Sequence, residues 1–210
     1  SMRSSSKITT MKNAAKELIN VLYGDNETLD EVWVSVVPYV ASVNIGNSYT
    51  NWLTGYKTRH YRGTVWKGCV EAREAPYDQT DDPYTVQLFK PYRYKKDVDN
   101  QYPAIKEENE WQNNGTGPNL GCGPAITPLT ESKATIIDAI EEMQPWHRGG
   151  TLTNLGLVWG WRTLSPRWRG LWDNVDVSLP LDYDESLMEK VAVILTDGEN
   201  TLYDHNGGGP

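Results

Sequence analysis

Apolar residues recur every three or four positions near the start of the chain, with lysines and a glutamate between them. The residues on this apolar face are Ile8, Met11, Ala15, Leu18, Ile19 and Leu22. Such spacing predicts an amphipathic helix over 7–22. Gly24 follows at the position where a helix C-terminal cap is expected.

Two other stretches have the composition of β-strands. Residues 32–40 (VWVSVVPYV) are rich in β-branched and aromatic residues, and Pro38 indicates a strand end, an edge or a bulge. Residues 191–196 (VAVILT) form a continuous apolar run, which is typical of a strand buried on both faces of a parallel sheet. Residues 86–89 predict a further short strand.

Two more helices are expected in the second half of the chain. Residues 131–143 place isoleucines and a methionine on one face, with Thr130 or Ser132 as the N-terminal cap. Residues 155–164 predict a helix that Pro166 ends. The order helix, strand, helix, helix, strand predicts an α/β fold.

Residues 47–130 lose any regular period, since Pro, Gly, Asn, Tyr and Trp are scattered through them. An unstructured loop of this length is improbable in one domain, so we interpret the region as an inserted subdomain. The core is then formed by 1–46 and 131–210. The two cysteines, Cys69 and Cys122, form either one disulfide or two reduced, buried thiols.

Composition narrows the class of protein. The 210 residues are 38% hydrophobic and 23% charged, which is typical of a folded soluble domain. The formal net charge of −8 argues against nucleic-acid binding, which requires a basic surface. Nine Trp and twelve Tyr accompany a single Phe, a bias suited to partly hydrated surfaces and large loops. No apolar run is long enough to span a membrane.

Enzymatic motifs are missing from the sequence. His60, His147 and His205 are scattered and lack the paired spacing of a zinc site. The sequence contains neither a phosphate-binding loop nor a nucleophile elbow. We therefore expect a protein that is not an enzyme.

The candidate chemistry lies directly after the apolar run. Asp197 and Gly198 follow it, and ligands of open α/β sheets bind beyond the carboxyl ends of the strands. By itself an Asp-Gly pair is more often a simple turn, because both residues favour turns.

Three segments, taken in order, resemble the metal-binding motifs of von Willebrand factor A domains. They are residues 1–18 (SMRSSSKITTMKNAAKEL), 149–154 (GGTLTN) and 195–200 (LTDGEN). The resemblance implies an α/β fold with a doubly wound, mainly parallel, Rossmann-type sheet. It also places the large irregular insert between the second strand and the following helix.

The resemblance implies a metal-ion-dependent adhesion site. Asp197 matches the family's aspartate, Thr151 its threonine and Ser1 the last serine of the first motif. Mg²⁺, or Mn²⁺ or Ca²⁺ in its place, would take these oxygen ligands. The first aspartate and serine of that motif would precede Ser1, so we expect an incomplete site here. Ser1 is either a native residue or an expression remnant. Thr151 has an alternative role, as a residue at the N-terminus of a helix.

A narrower resemblance covers nearly the whole chain. Five segments are similar to the C-terminal A-like domain of TadG-type proteins, in the TadE/TadG group of Flp (tight adherence) pilus assembly: VVPYVASVNIG, WKGCVEAR, NLGCGPAITPLT, TNLGLVWGWRTLSP and VILTDGEN. This implies a periplasmic or extracellular location at the inner membrane, with a membrane anchor upstream. It also implies an oxidising compartment, and therefore a Cys69–Cys122 disulfide. The family's first strand and the elements after its fourth would lie outside these 210 residues.

Three functional hypotheses follow. The first is a non-catalytic assembly domain that binds a protein partner in pilus assembly or adhesion through the metal, with an acidic group of the partner completing the metal's shell. The second is a surface adhesin or carbohydrate-binding domain, in which aromatic residues such as Trp168 and Trp172 stack on the ligand. The third is a structural domain whose metal site does not function.

Overall fold

A computed structural model describes residues 2, 6–94, 105–107, 115–146, 150–197 and 200–202. In these ranges the α-helices are Lys7–Tyr23 (α1), Lys133–Glu142 (α2) and Thr153–Leu164 (α3). The β-strands are Val34–Val36 (β1), Val43–Asn44 (β2), Cys69–Val70 (β3), Thr127–Thr130 (β4), Gly150–Thr151 (β5) and Thr201–Leu202 (β6). Short 3₁₀ helices occupy Thr50–Trp52, Thr58–Tyr61, Tyr77–Gln79 and Pro166–Trp168.

The three predicted helices are confirmed, with small differences at their ends. Gly24 ends α1 with a positive φ of 54°, and its N–H donates to the carbonyl of Asn20 at 2.8 Å. Ser132 caps α2, since its hydroxyl accepts the N–H of Thr135 at 3.2 Å. The last helix, α3, begins two residues earlier than predicted and ends before Pro166. None of the helices in the described ranges is long and apolar enough to cross a membrane.

The predicted doubly wound, mainly parallel sheet is wrong. In the described part of the chain the strands form three antiparallel pairs, β1 with β4, β2 with β3 and β5 with β6. Parallel contacts occur there only as isolated bridges, and each sheet has two strands. The strands are short for local reasons: Pro38 has no N–H to donate, so the strand expected over 32–40 is reduced to β1. The strand expected over 86–89 contributes one bridge, between Phe89 and Leu53.

The apolar run 191–196 is also not a buried strand. Val191 and Val193 are 69% and 60% exposed, and residues 191–195 make no backbone hydrogen bond to any described residue. A continuous apolar run predicts burial only if strands lie on both sides of it. Here no described strand pairs with it, and the run is exposed.

Two hydrophobic clusters cover the two faces of β1. On one face, Val36 packs with residues of α1 and α2, among them Ile19, Tyr23, Ile136 and Ile140. On the other face, Val37 and Tyr39 pack against a larger cluster that contains α3. The strand β1 is therefore enclosed between two layers of helices and aromatic residues.

The second cluster explains the aromatic composition of the chain. Trp52 stacks on Tyr84 at a ring separation of 4.9 Å and meets Trp168 and Trp172 edge to face at 5.4 and 5.3 Å. Phe89 and Trp159 extend the same cluster. These aromatic residues thus form a core, whereas Trp161 and Tyr183 remain exposed. The region 47–130 shares this core with α3, and the domain division at 46 and 131 stays a prediction.

Buried charged side chains connect α3 to the loop of residues 77–81 through hydrogen bonds. Arg162 is 1% exposed and donates to the carbonyls of Tyr77 and Thr80, at 2.9 and 3.0 Å from its Nη2. Burial, and then the neighbouring charge of Arg73, lowers the pKa of Arg162 to about 9, so the guanidinium remains charged at neutral pH. Ser165 Oγ donates to Asp81 Oδ2 at 2.5 Å and extends the network beyond the helix.

Candidate functional site

The pairing of β5 with β6 brings together two segments that are far apart in the sequence. Gly150 lies opposite Leu202, and Thr151 lies opposite Thr201. Since β6 follows Asn200 directly, the loop that contains Asp197 ends beside Thr151. The Oδ1 of Asn200 also accepts the N–H of Thr153 at 2.6 Å, which satisfies a free donor at the first turn of α3.

Asp197 has a cationic partner within the protein. The Nζ of Lys7 lies 3.3 Å from Asp197 Oδ2, and the Asp197 side chain is only 12% exposed. Lys7 is the first residue of α1, so the ion pair joins the start of that helix to the loop after the apolar run. Thr151 is half-buried on the adjacent strand β5.

Of the three predicted metal ligands, the structure places two. Thr151 and Asp197 lie on segments that the structure brings together, and both line the same large groove. The third, Ser1, lies outside the described residues. The glycine after Asp197, Gly198, also lies outside them.

The side-chain oxygen atoms of Thr151 and Asp197 are of the chemical type that a hard cation binds. One carboxylate and one hydroxyl are oxygen ligands of the type that Mg²⁺ and Mn²⁺ take. In the described ranges, however, no three His, Cys, Asp or Glu side chains are grouped as a metal site would need. Lys7 pairs with the one carboxylate, which has other interactions as well, and a cation at Asp197 would have to compete with them.

The groove beside this pair has a volume of about 710 Å³. Its walls are the apolar faces of α1 and α2, the strand β1, one side of α3 and residues 188–197. Leu18, Leu22 and Leu157 line it while remaining about half exposed. The groove therefore presents a mainly apolar surface, and Thr151 and Asp197 are among its polar residues.

The disulfide implied by the family resemblance is present. Cys69 and Cys122 are joined, and both are buried with Tyr92 in a small cluster of their own. The bond connects β3 to the segment that leads into β4, so two distant parts of the predicted insert are linked covalently.

The aromatic residues considered for glycan stacking are not accessible. Trp168 is fully buried and Trp172 is 6% exposed. The indole N–H of Trp168 donates to the carbonyl of Asp81 at 2.7 Å, inside the core. These two rings therefore stabilise the fold and present no face to a ligand.

Sequence reasoning missed two residues of this region. Lys7 lies on the polar side of the predicted helix, and nothing local in the sequence pairs it with Asp197. Asn200 lies in the LTDGEN segment, where it could support the metal ligands or be a solvated loop residue, and asparagine is also a common partner for free N–H groups at helix starts. Its helix begins 47 residues earlier in the chain, so no spacing rule identifies the contact.

The chain matches no known family model, no curated protein and no solved structure. The likeness to von Willebrand factor A domains and to TadG-type proteins therefore rests on the sequence segments quoted above.

Proposed function

We propose that this chain is a non-catalytic binding domain of a TadG-like pilus assembly protein, with a divalent-cation site to which Thr151 and Asp197 contribute. The observation that carries the proposal is the β5–β6 pairing, which draws together the two loops that bear these residues. Their order in the sequence and their residue types are those that the family resemblance implies.

The two side chains have distinct roles in this proposal. A bound cation would supply a positive centre for an acidic group of a protein partner. Thr151 would offer a neutral hydroxyl oxygen, and Asp197 the single charge, so the cation would keep much of its affinity for an external carboxylate. Lys7 pairs with the Asp197 carboxylate and would give way to a bound cation.

The location in the cell envelope is part of the same proposal. The Cys69–Cys122 disulfide supports it, because such bonds persist in oxidising compartments. The net charge of −8 favours a protein partner over a nucleic acid. Attachment to the membrane would come from a segment upstream of this chain, as in the proteins it resembles.

Calorimetric titration with Mn²⁺ and with Mg²⁺ tests the cation site. We expect Asp197→Ala to weaken binding about tenfold or more, because it removes the only charged ligand proposed. Asp184→Ala is the matched control, since Asp184 is exposed and has no described partner. Equal binding by wild type and Asp197→Ala would remove Asp197 from the site.

The Lys7–Asp197 ion pair favours a second candidate, a structural domain in which the lysine permanently replaces the cation. The variant Lys7→Gln separates the two functions. If neither the wild type nor Lys7→Gln binds Mn²⁺, the pair is structural. If binding appears or strengthens when the lysine is removed, and Asp197→Ala weakens it, the carboxylate is a cation ligand.

A further inference from the structure

Four cationic side chains at and near the 3₁₀ helix Thr58–Tyr61 have no charged partner among the described residues. The first three are exposed and the fourth is half-buried, and together they form the basic patch: Lys57, Arg59, Arg62 and Arg93. Other exposed lysines, such as Lys16 and Lys90, pair with a carboxylate of this chain. The basic patch is therefore available to an anion outside the protein.

The fold brings the two segments of the patch together. Tyr61 Oη donates to the carbonyl of Tyr92 at 2.6 Å, so the 3₁₀ helix lies directly beside the segment that carries Arg93. Partial loss of hydration, and then the positive charges of Arg93 and of two neighbours at the 3₁₀ helix, lower the pKa of His60. Cations of both segments thus act on one small area of the surface.

The patch is an exception in an acidic chain. The net charge is −8, yet residues 32–70 contain no aspartate or glutamate, and all lysines and arginines of that stretch lie in 57–67. Charges are screened beyond about 8 Å at physiological ionic strength, so an anion at the patch interacts mainly with the local cations. Charge complementarity therefore predicts an anionic partner for this surface.

The patch suits a surface that carries many anions. A single carboxylate or phosphate is bound tightly by side chains that are already oriented around it, whereas these exposed cations have no hydrogen bond to a described residue that would orient them. An anionic membrane attracts clusters of lysine and arginine without such orientation, because each cation interacts with the surface potential of the leaflet.

An exposed apolar side chain beside the cations distinguishes a membrane from an acidic peptide. Val65 is 65% exposed, and the N–H of Thr64 donates to the carbonyl of Tyr61 at 2.9 Å, which holds this turn against the 3₁₀ helix. At a membrane, apolar side chains enter the boundary between headgroups and acyl chains and add to the electrostatic attraction. A hydrophilic acidic peptide would leave Val65 in water.

We propose that the basic patch docks this domain on a membrane surface rich in anionic phospholipids, with Val65 entering the headgroup layer. The arginines and Lys57 interact with lipid phosphates, and the domain stays outside the hydrocarbon core. The proposal does not depend on the cation site at Asp197.

Co-sedimentation of the full chain with lipid vesicles tests the docking. The probe is vesicles of equal parts phosphatidylcholine and phosphatidylglycerol, and vesicles of phosphatidylcholine alone are the neutral comparison. EDTA is present, so that no divalent cation bridges Asp197 to a phosphate. Fluorescence anisotropy with labelled polyglutamate measures the competing possibility, an acidic protein partner.

Two double variants separate the patch from the net charge. Arg59→Gln/Arg62→Gln removes two positive charges from the patch. Lys12→Gln/Lys16→Gln removes two from α1, where both lysines pair with Glu141. Circular dichroism checks that each variant is folded.

We expect the wild type to bind the anionic vesicles and not the neutral ones, and about 1 M salt to weaken binding at least tenfold. Each arginine removed should weaken binding about fivefold, and the arginine double variant about 25-fold. The lysine double variant should differ from the wild type by less than about twofold, because its charges do not face the membrane. Val65→Asn should weaken vesicle binding about threefold and leave polyglutamate binding unchanged.

The absence of binding to the anionic vesicles, or equal binding to the neutral ones, would overturn the proposal. Equal losses in the two double variants would also overturn it, because net charge rather than the patch would then determine binding. Tighter binding of polyglutamate than of the vesicles would identify an acidic protein as the better occupant and overturn the assignment to a membrane.

Discussion

Lys7 Nζ lies 3.3 Å from Asp197 Oδ2, so the first residue of α1 pairs with the carboxylate that follows the apolar run near the other end of the chain. The lysine side chain is 43% exposed, whereas the aspartate is largely covered. An ion pair with one exposed member is weak, and it is more readily displaced than a buried one. A cation at Asp197 must therefore compete with Lys7 for the carboxylate.

Removing the lysine should strengthen cation binding. For Lys7→Gln we expect a Kd for Mn²⁺ about fivefold lower than for the wild type, since an exposed pair contributes up to about 1 kcal/mol. Stability should change by less than about 1 kcal/mol for the same reason. Lys57→Gln, which removes an exposed lysine without a described partner, is the control for net charge. An unchanged Kd in Lys7→Gln would show that the lysine does not compete with the cation.

Two glycines on α3 should respond in opposite ways to alanine. At Gly156 a Cβ would lie 2.4 Å from Tyr39 Cδ1, a contact that the half-buried ring cannot accept without moving. Overpacking of this kind costs about 1–3 kcal/mol, so Gly156→Ala should lower the free energy of unfolding by that amount. Gly160→Ala meets open space and should raise it by about 0.5–1 kcal/mol, because glycine is a poor helix former. Urea denaturation measures both, and equal effects would contradict the packing of Tyr39 on α3.

The helices were predictable from the sequence, whereas the sheet was not. The reason is that helices depend on neighbouring residues, whereas strand pairing depends on distant ones. The period of α1 and its cap at Gly24 are set by neighbours within four residues. The state of 191–196 depends on whether other strands lie beside it, and nothing in VAVILT itself determines that. Its composition suits a buried strand, but the described chain supplies no strand to pair with it.

The candidate site was predictable in part for the same reason. Thr151 and Asp197 were identified because each lies in a short motif, and the pairing of β5 with β6 brings their segments together. The contact of Lys7 with Asp197 is long-range and has no motif. The burial of Trp168 and Trp172 is equally non-local, because it is created by Trp52 and Phe89 from the predicted insert. Tryptophan content alone could not distinguish a core from a binding surface.

The stability of the protein should depend on a guanidinium group at position 162, which another cationic side chain cannot replace. It donates to the carbonyls of Tyr77 and Thr80 at once, a geometry that a lysine ammonium does not reproduce. We expect Arg162→Lys to destabilise the protein by about 2 kcal/mol, because a buried carbonyl loses its donor while a charge stays buried. Arg62→Lys is the comparison, since Arg62 is exposed and has no described side-chain partner, and it should change stability by less than about 1 kcal/mol. Similar denaturation midpoints for the two variants would contradict the structural role of Arg162.

The disulfide should account for a large part of the stability. Cys69 and Cys122 are separated by 53 residues, and closing a loop of that length lowers the entropy of the unfolded chain by an amount worth roughly 4 kcal/mol. The double variant Cys69→Ser/Cys122→Ser should lose about this much free energy of unfolding in urea, and a reductant should shift the wild type by a similar amount. The reductant should leave the double variant unchanged, because it has no disulfide to break. If wild type and double variant unfold at the same urea concentration, the bond does not constrain the unfolded chain, and the insert is held by the aromatic core alone.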